Sequence, residues 1–270
     1  MLLTVDVGNT NIVFGLYSGR GDTADLIRDW RMRTDFRITA DELALTMRGM
    51  LGGRAGEISG IGALSTVPPV LHELRRMLGR YYPRIPKVII EPGVRTGVPL
   101  LVDNPKEVGP DRLVNTLAAH HLHREQPCVI VDFGTSTVVD AVSARGEFLG
   151  GAFAPGIEIS LEALASRAAA LRAVELVRPR SVIGKSTVEC LQSGILYGFA
   201  GQVDGLVRRF QRELRVDFPS GEGEIAVIAT GGLAPLVIDE SETITEHRHD
   251  LTLMGLRLAF ERNVRERAED

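Results

Sequence analysis

The chain has 270 residues, 44% of them hydrophobic and 24% charged, the composition of an ordinary globular protein with ample core for one large domain or two of typical size. Thirty-five acidic against 31 basic residues give a net charge of -4, which argues against a general nucleic-acid or membrane-surface binder. No apolar run reaches the ~20 residues of a membrane span, Leu2–Val5 is too short for a signal peptide, and the only two cysteines, Cys128 and Cys190, read as buried thiols in a cytoplasmic protein.

The first predicted element is a buried strand, Leu2–Val5, which delivers Asp6 to a turn through Gly8, Asn9 and Thr10. A carboxylate beside such a turn can hold a hydrated metal while the turn's amides face phosphate oxygens; an ordinary hairpin turn is the plain alternative. Strands at Asn11–Tyr17 and Leu26–Met32, joined by the loop Ser18–Asp25, complete an antiparallel meander. Thr39 and Glu42 have the form of a capping box. The helix they start carries Leu43, Met47, Met50 and Leu51 at helical spacing, and Gly52–Gly56 stops it. A strand at Ile58–Ser65 follows. Pro68 and Pro69 then begin a helix whose core face is Val70, Leu71, Leu74, Met77 and Leu78, and Lys87–Glu91 is another strand. This alternation predicts parallel pairing after the meander.

Thr96–Pro110 reads as an extended polar loop. It ends where Pro110 opens a helix with Leu113, Val114, Leu117, His121 and Leu122 on one face, so Asp111 and Arg112 fall in its first turn. The opening pattern then returns. Cys128–Val131 is an apolar strand leading into Asp132-Phe133-Gly134-Thr135-Ser136-Thr137, with strands at Val138–Val142 and Glu147–Phe153. Asp6-x-Gly8-Asn9-Thr10 and Asp132-x-Gly134-Thr135-Ser136 thus occupy matching places in two meanders, an internal repeat. Pro155-Gly156 leads into a helix to about Leu171, and Gly184–Thr187 precedes a long helix from Val188 to about Leu214. Along that helix Gly194, Gly198, Gly201 and Gly205 form a stripe, which suggests another backbone packed closely within the fold or across a dimer; loosely packed, kinked helices are the alternative. A turn-rich loop at Asp217–Glu224, a strand at Ile225–Thr230 running into Gly231-Gly232, and an amphipathic helix at Leu251–Val264 close the chain. His247 and His249 read as surface residues of a polar loop.

Asp111, at a helix start after a long loop, is the best candidate to orient an acceptor hydroxyl in phosphoryl transfer, and the guanidinium of Arg112 suits a substrate carboxylate. A dipole-stabilising Asp and a surface Arg explain the same spacing. The chain has neither G-x-x-x-x-G-K-[ST] nor G-x-G-x-x-G.

In element order and loop type the chain resembles the actin-like, sugar-kinase and Hsp70 ATPase superfamily. Several strings occur in a specific order: Asp6-Val7-Gly8-Asn9-Thr10-Asn11, Asn104-Pro105-Lys106-Glu107-Val108-Gly109-x-Asp111-Arg112, Asp132-Phe133-Gly134-Thr135, Gly150-Gly151-x-x-x-Pro155-Gly156, Gly184-Lys185-x-Thr187-Val188-Glu189 and Ala229-Thr230-Gly231-Gly232-Leu233-Ala234. Together they resemble type III pantothenate kinase.

The resemblance implies an α/β fold of two tandem RNase H-like, actin-like ATPase domains, over residues 1–120 and 121–270. Each would have a mixed five-stranded sheet flanked by helices, with an interdomain nucleotide cleft. It implies ATP-dependent phosphorylation of pantothenate to 4′-phosphopantothenate in coenzyme A synthesis. Asp6, Val7, Gly8, Asn9, Thr10, Asn11, Ile12, Val13, Thr135, Gly231 and Gly232 would bind ATP, with Mg2+ reached by Asp6 through water. Asp132 would hold a monovalent cation, K+ or NH4+. Asp111 would accept the proton. Val102, Gly109, Pro110, Asp111, Arg112 and Thr187 would bind pantothenate, Thr187 across a homodimer interface. Val102 stands where the family commonly has Tyr, and Pro110 where it commonly has Ala. A phosphohydrolase of the superfamily and a non-catalytic regulator keeping the fold are the alternatives.

Overall fold

A computed structural model describes residues 1–91, 94–167, 174–217 and 225–269. In chain order the elements are β1 (Leu2–Val7), β2 (Asn11–Ser18), β3 (Asp25–Arg33), α1 (Ala40–Leu51), β4 (Gly60–Ser65), α2 (Pro68–Tyr81), β5 (Lys87–Ile89), α3 (Pro110–Leu122), β6 (Cys128–Phe133), β7 (Ser136–Val142), β8 (Phe148–Pro155), α4 (Ile157–Arg167), α5 (Thr187–Asp217), β9 (Ala226–Thr230), α6 (Ala234–Val237), β10 (Glu246–His247) and α7 (Leu251–Glu269). The helix predicted to about Leu171 is described as far as Arg167. Beyond Asp217 the predicted loop to Glu224 lies outside the described residues.

The chain divides into two compact units. The first contains residues 1–98 and 104–118 and the closing helix α7; the second contains 99–103 and 119–250. A division at 120/121 therefore misplaces α7. The reason is its apolar face: Leu253 packs with Leu2 and Tyr17, and Leu256 and Ala259 with Leu64, Val88 and Val114, all of the first unit.

In the first unit the sheet order is β3-β2-β1-β4-β5, with β1 antiparallel to β2 and parallel to β4. Period-two alternation sorts its faces. Leu3, Val5, Val7, Ile12, Phe14 and Leu16 point into one core, met by Leu43 and Met47 of α1 and by Val70, Leu74 and Met77 of α2. The Thr39–Glu42 capping box is present, with Glu42 N donating to Thr39 Oγ1 (3.3 Å) and Thr39 N to Glu42 Oε2 (2.9 Å). Glycines let α7 lie close to the strands: a Cβ on Gly62 would stand 3.1 Å from Leu256 O, and one on Gly60 would meet the Phe260 ring. Helix α3 is seated on α7 in turn. Thr252 Oγ1 donates to Asn115 Oδ1 (2.9 Å), and Gly255 leaves no room for a side chain beside Val114 O.

The second unit repeats the plan. Its order is β10-β9-β6-β7-β8, with β6 antiparallel to β7 and parallel to β9. Val129, Val131, Phe133 and Val139 meet Ile157 and Leu161 of α4 and Ile195, Phe199 and Val203 of α5. Two five-stranded mixed sheets flanked by helices are thus present, as the resemblance implies.

Three expectations need correction. Cys128 is buried, and burial pushes its thiol up to about 12, but Cys190 is exposed in the first turn of α5, where its thiol donates to Gly184 O. No backbone of the described residues packs on the glycine stripe: a Cβ on Gly194, Gly198 or Gly201 would meet open space, so close packing among the described residues is not its reason. His247 belongs to the short strand β10, paired with Ala229, and only His249 is exposed. No described helix is long and apolar enough to cross a membrane.

Candidate active site

Asp6 and Asp132 hold equivalent places in the two sheets. Each is the penultimate residue of the central strand: Asp6 pairs with Val13 and Leu64, and Asp132 with Val138 and Thr230. Both strands run past the carboxylate to one more core residue, Val7 or Phe133, before turning. Period two fixes this placement. The flanking residues go to the core, and the aspartates remain half-buried.

The first turn spans Gly8–Asn11. Gly8 N donates to Asn11 O (3.0 Å), and Asn9 and Thr10 are exposed. Two hydroxyls from elsewhere in the unit fix its backbone: Thr34 Oγ1 donates to Gly8 O (2.6 Å) and Thr66 Oγ1 to Val7 O (3.3 Å). Thr34 N and Thr66 N add bonds to Thr10 O and Val7 O, both 2.9 Å. Val7 and Ile12 are fully buried, so among the residues expected to bind nucleotide these two have only backbone to offer.

The second turn is one residue shorter. Gly134 N donates to Ser136 O (3.1 Å), and Phe133 pairs with Thr137. Backbone walls it. A Cβ on Gly156 would stand 2.1 Å from Thr135 O, and one on Gly231 would stand 2.5 Å from Asp132 Oδ1 and 2.6 Å from Phe133 O. Gly231 also has φ +92, a conformation that disfavours any side chain. Leu233 N donates to Phe133 O (3.3 Å) and Ala234 N to Gly231 O (3.3 Å), so the Thr-Gly-Gly turn is fastened to the acidic turn. The second unit thereby brings Asp132, Thr135 and Gly231 together. In the same unit a cavity of about 140 Å3 opens between α4, α5 and α6, lined by apolar Ile157, Ile195 and Leu196 and by polar Gln192, Asp239 and Glu240, with Pro235 and Leu236 reaching it from just after the Thr-Gly-Gly turn.

Asp111 lies in the first turn of α3. Gly109 caps that helix, its O accepting from Leu113 N (3.2 Å), and Arg112 N donates to Asp111 Oδ1 (2.9 Å). The carboxylate folds back over Gly109, where a Cβ would be 2.4 Å from Oδ1. Burial raises the Asp111 carboxyl above the usual carboxylate range, against the lowering effect of the Arg112 backbone bond. A carboxylate so raised is a stronger base than an exposed one. Pro110 stands at the first helical position, where its missing N–H leaves no gap.

The remaining expected residues are dispersed. Val102 follows a short stretch added to the edge of β8, where Leu101 N donates to Phe148 O (2.9 Å), and its side chain approaches Gly150. Val102 therefore belongs to the second unit, whereas Gly109, Pro110, Asp111 and Arg112 belong to the first. Gly232 and Thr187 are exposed, Thr187 at the first position of α5. Sequence reasoning missed Thr34, Thr66 and Gly156 as site-builders. The repeat contained a signal for Thr66, which holds in β1/β4 the place that Gly232 holds in β6/β9. Thr34 acts across 26 residues and has no local signature.

A model of the type III pantothenate kinase family matches residues 2–209. A protein of Saccharopolyspora erythraea named type III pantothenate kinase is 71% identical over 97% of this chain and 99% of its own length. One of Rhodococcus opacus with the same name is 67% identical over 97% and 96%. Among solved structures, one from Cytophaga hutchinsonii described as a sugar kinase overlays with a TM-score of 0.50 at 14% identity, covering 95% of this chain and 98% of the other, a likeness of fold.

Proposed function

This chain belongs to the type III pantothenate kinase family, and we propose here how its own residues carry the transfer of a phosphoryl group from ATP to pantothenate that gives 4′-phosphopantothenate for coenzyme A synthesis. The observation that carries the residue assignment is the paired construction of the acidic turns, each with a half-buried aspartate on a central strand and exposed residues at the tip of the turn beyond it. The turn tips, at Asn9–Thr10 and at Thr135, receive phosphate oxygens. The cavity that Pro235 and Leu236 line just after the Thr-Gly-Gly turn receives the adenosine, its aliphatic walls meeting the flat base and its polar Gln192, Asp239 and Glu240 offering hydrogen-bond partners.

Phosphoryl transfer asks a protein mainly for position and charge. Asp111 accepts the proton of the primary hydroxyl of pantothenate, and its raised carboxyl suits that task. Arg112 faces the pantothenate carboxylate, and Gly109, Pro110, Val102 and Thr187 complete the acceptor site. At Val102 a hydroxyl and a ring face common in the family are absent, so this chain contacts its acceptor there through aliphatic surface alone. Among the described residues no three His, Cys, Asp or Glu side chains form a metal cage. Mg2+ needs none, since it keeps several waters and takes one or two carboxylates with the substrate phosphates. Asp6 would reach it through water, and Asp132, beside the Gly231 backbone, would hold K+ or NH4+. Bound there, the cations would offset the charge on the phosphoryl oxygens.

We further infer a cytoplasmic homodimer with the acceptor site near its interface. The uncovered glycine face of α5 and the exposed Val182, Ile183 and Val188 near its start support this. ATP consumption with and without pantothenate, in Mg2+ and potassium, tests the reading. Consumption that depends on pantothenate and yields 4′-phosphopantothenate is expected. Equal hydrolysis without pantothenate would favour a phosphohydrolase, and no product at millimolar substrate a non-catalytic relative.

A further inference from the structure

The segment entering α5 has a construction that the acceptor reading does not use. From residue 175 to 186 it contains no regular structure; Leu176 packs on the core, Pro179 is buried and Arg178 pairs with Glu240, whereas Val182 and Ile183 are exposed, so little buried surface holds residues 180–186. The first two turns of α5 tie the segment along its length. Gln192 Nε2 donates to Glu175 O (2.8 Å), Ser193 Oγ to Val182 O (2.5 Å) and Cys190 Sγ to Gly184 O (3.6 Å). Gly184 packs directly on the helix, where a Cβ would be 2.5 Å from Cys190 N.

One side chain in this set ties the segment at two points. Glu189 Oε1 accepts from Arg180 Nε (2.6 Å), and Oε2 accepts from the backbone of Lys185 (3.0 Å). Its own N–H goes to Ser186 Oγ (3.2 Å), the cap of the helix. The carboxylate is largely covered, its side chain 14% exposed against 84% for Arg180, and it stands at a helix N-terminus, where negative charge is favoured. The bond from Arg180 holds the Glu189 carboxyl below the usual carboxylate range. Thr187, between cap and carboxylate in sequence, is exposed.

We propose that Glu189 is a positioning residue: it locks the turn Gly184–Ser186 and so fixes the direction in which the Thr187 hydroxyl meets the acceptor substrate. The proposal rests on the reading that Thr187 contacts pantothenate. A side-chain hydroxyl at a helix start is only as well placed as the turn before it, and small misplacements of substrate-holding groups are costly. Glu189→Gln turns an amide donor toward one of two donors, Arg180 Nε–H or Lys185 N–H, so one tie is lost while the helix and its Ser186 cap remain.

The test is steady-state kinetics of the full-length protein as Glu189→Gln, Thr187→Ala and the double variant, with thermal melts to verify folding. Glu189→Gln is expected to raise the KM for pantothenate about 10-fold, with kcat and the KM for ATP within about twofold of wild type. The double variant is expected to be no worse than Thr187→Ala, since both act through one contact. Arg180→Ala, which leaves the Lys185 tie in place, should move the same KM less. Multiplying losses, an ATP KM that moves in step, or an unchanged pantothenate KM in Glu189→Gln while Thr187→Ala raises it would overturn the proposal. A silent Thr187→Ala would instead remove the contact on which it rests.

Discussion

The two acidic turns have the same strand order around them and are held in place by different means. In the first unit, side chains share the work with two backbone bonds: the hydroxyls of Thr34 and Thr66 tie down Gly8 O and Val7 O, and their N–H groups bond Thr10 O and Val7 O. In the second, backbone lies against backbone, and Gly156 and Gly231 are the residues that allow it. The first arrangement leaves a longer turn with two exposed residues; the second packs a shorter one against the backbone at Gly156 and Gly231. One repeat thus gives a turn whose support can be lost atom by atom, and another that fails as soon as a side chain is added.

The largest effect expected from this contrast is in the second unit. Gly231→Ala forces a Cβ into Asp132 and Phe133 at positive φ, and Gly156→Ala forces one into Thr135 O. Each should lower ATP-dependent turnover by about 100-fold or more, because the turn must move by about an ångström. An active Gly231→Ala enzyme would show that the backbone wall is dispensable. The same change in the first unit, Gly8→Ala, meets only Asn11 O at 3.2 Å with no positive φ, and should cost less than about 1 kcal/mol in thermal or urea unfolding.

Asp111 sharpens the contrast through stability. Its folded carboxyl lies above its unfolded value, so the charged form is disfavoured by folding, and the protein loses stability as pH rises through that raised value. Asp111→Asn should therefore raise Tm at neutral pH, by about 2–4 °C for each kcal/mol relieved, and the gain should shrink toward acid pH, where the wild-type carboxyl is neutral as well. A Tm unchanged across pH would contradict the burial. The smallest expected effect is Thr34→Val, which removes the 2.6 Å bond to Gly8 O and should cost about 1 kcal/mol, raising the KM for ATP more than that for pantothenate.

Much of this plan was legible in the residues. Period-two runs and turn residues gave the meanders, and the recurrence of Asp-x-Gly gave the repeat that the sheets display. Boundaries differed where ends lack punctuation: β5 stops at Ile89 rather than Glu91, and β4 begins at Gly60 rather than Ile58. Strand β10 has only two residues, too few for any period to show. Helix α7 follows the second unit in sequence but covers the first unit's sheet, because what assigns it is the fit of Leu253 and Leu256 over small residues such as Gly15 and Gly62. Thr34 was invisible for a similar reason, since hydroxyl contacts across tens of residues leave no spacing to read. The glycines of α5 were visible but not their surroundings, as nothing described covers Gly194, Gly198 or Gly201.

The central claim is that Asp111 accepts the proton of the acceptor hydroxyl while the acidic turns hold ATP. The most direct measurement is the pantothenate kinase assay on Asp111→Asn beside an ATP-binding titration of the same variant. Turnover about 100-fold or more below wild type, with ATP affinity unchanged, is predicted, together with a wild-type rate that falls as pH drops through the raised Asp111 carboxyl. Wild-type turnover in Asp111→Asn would contradict the account.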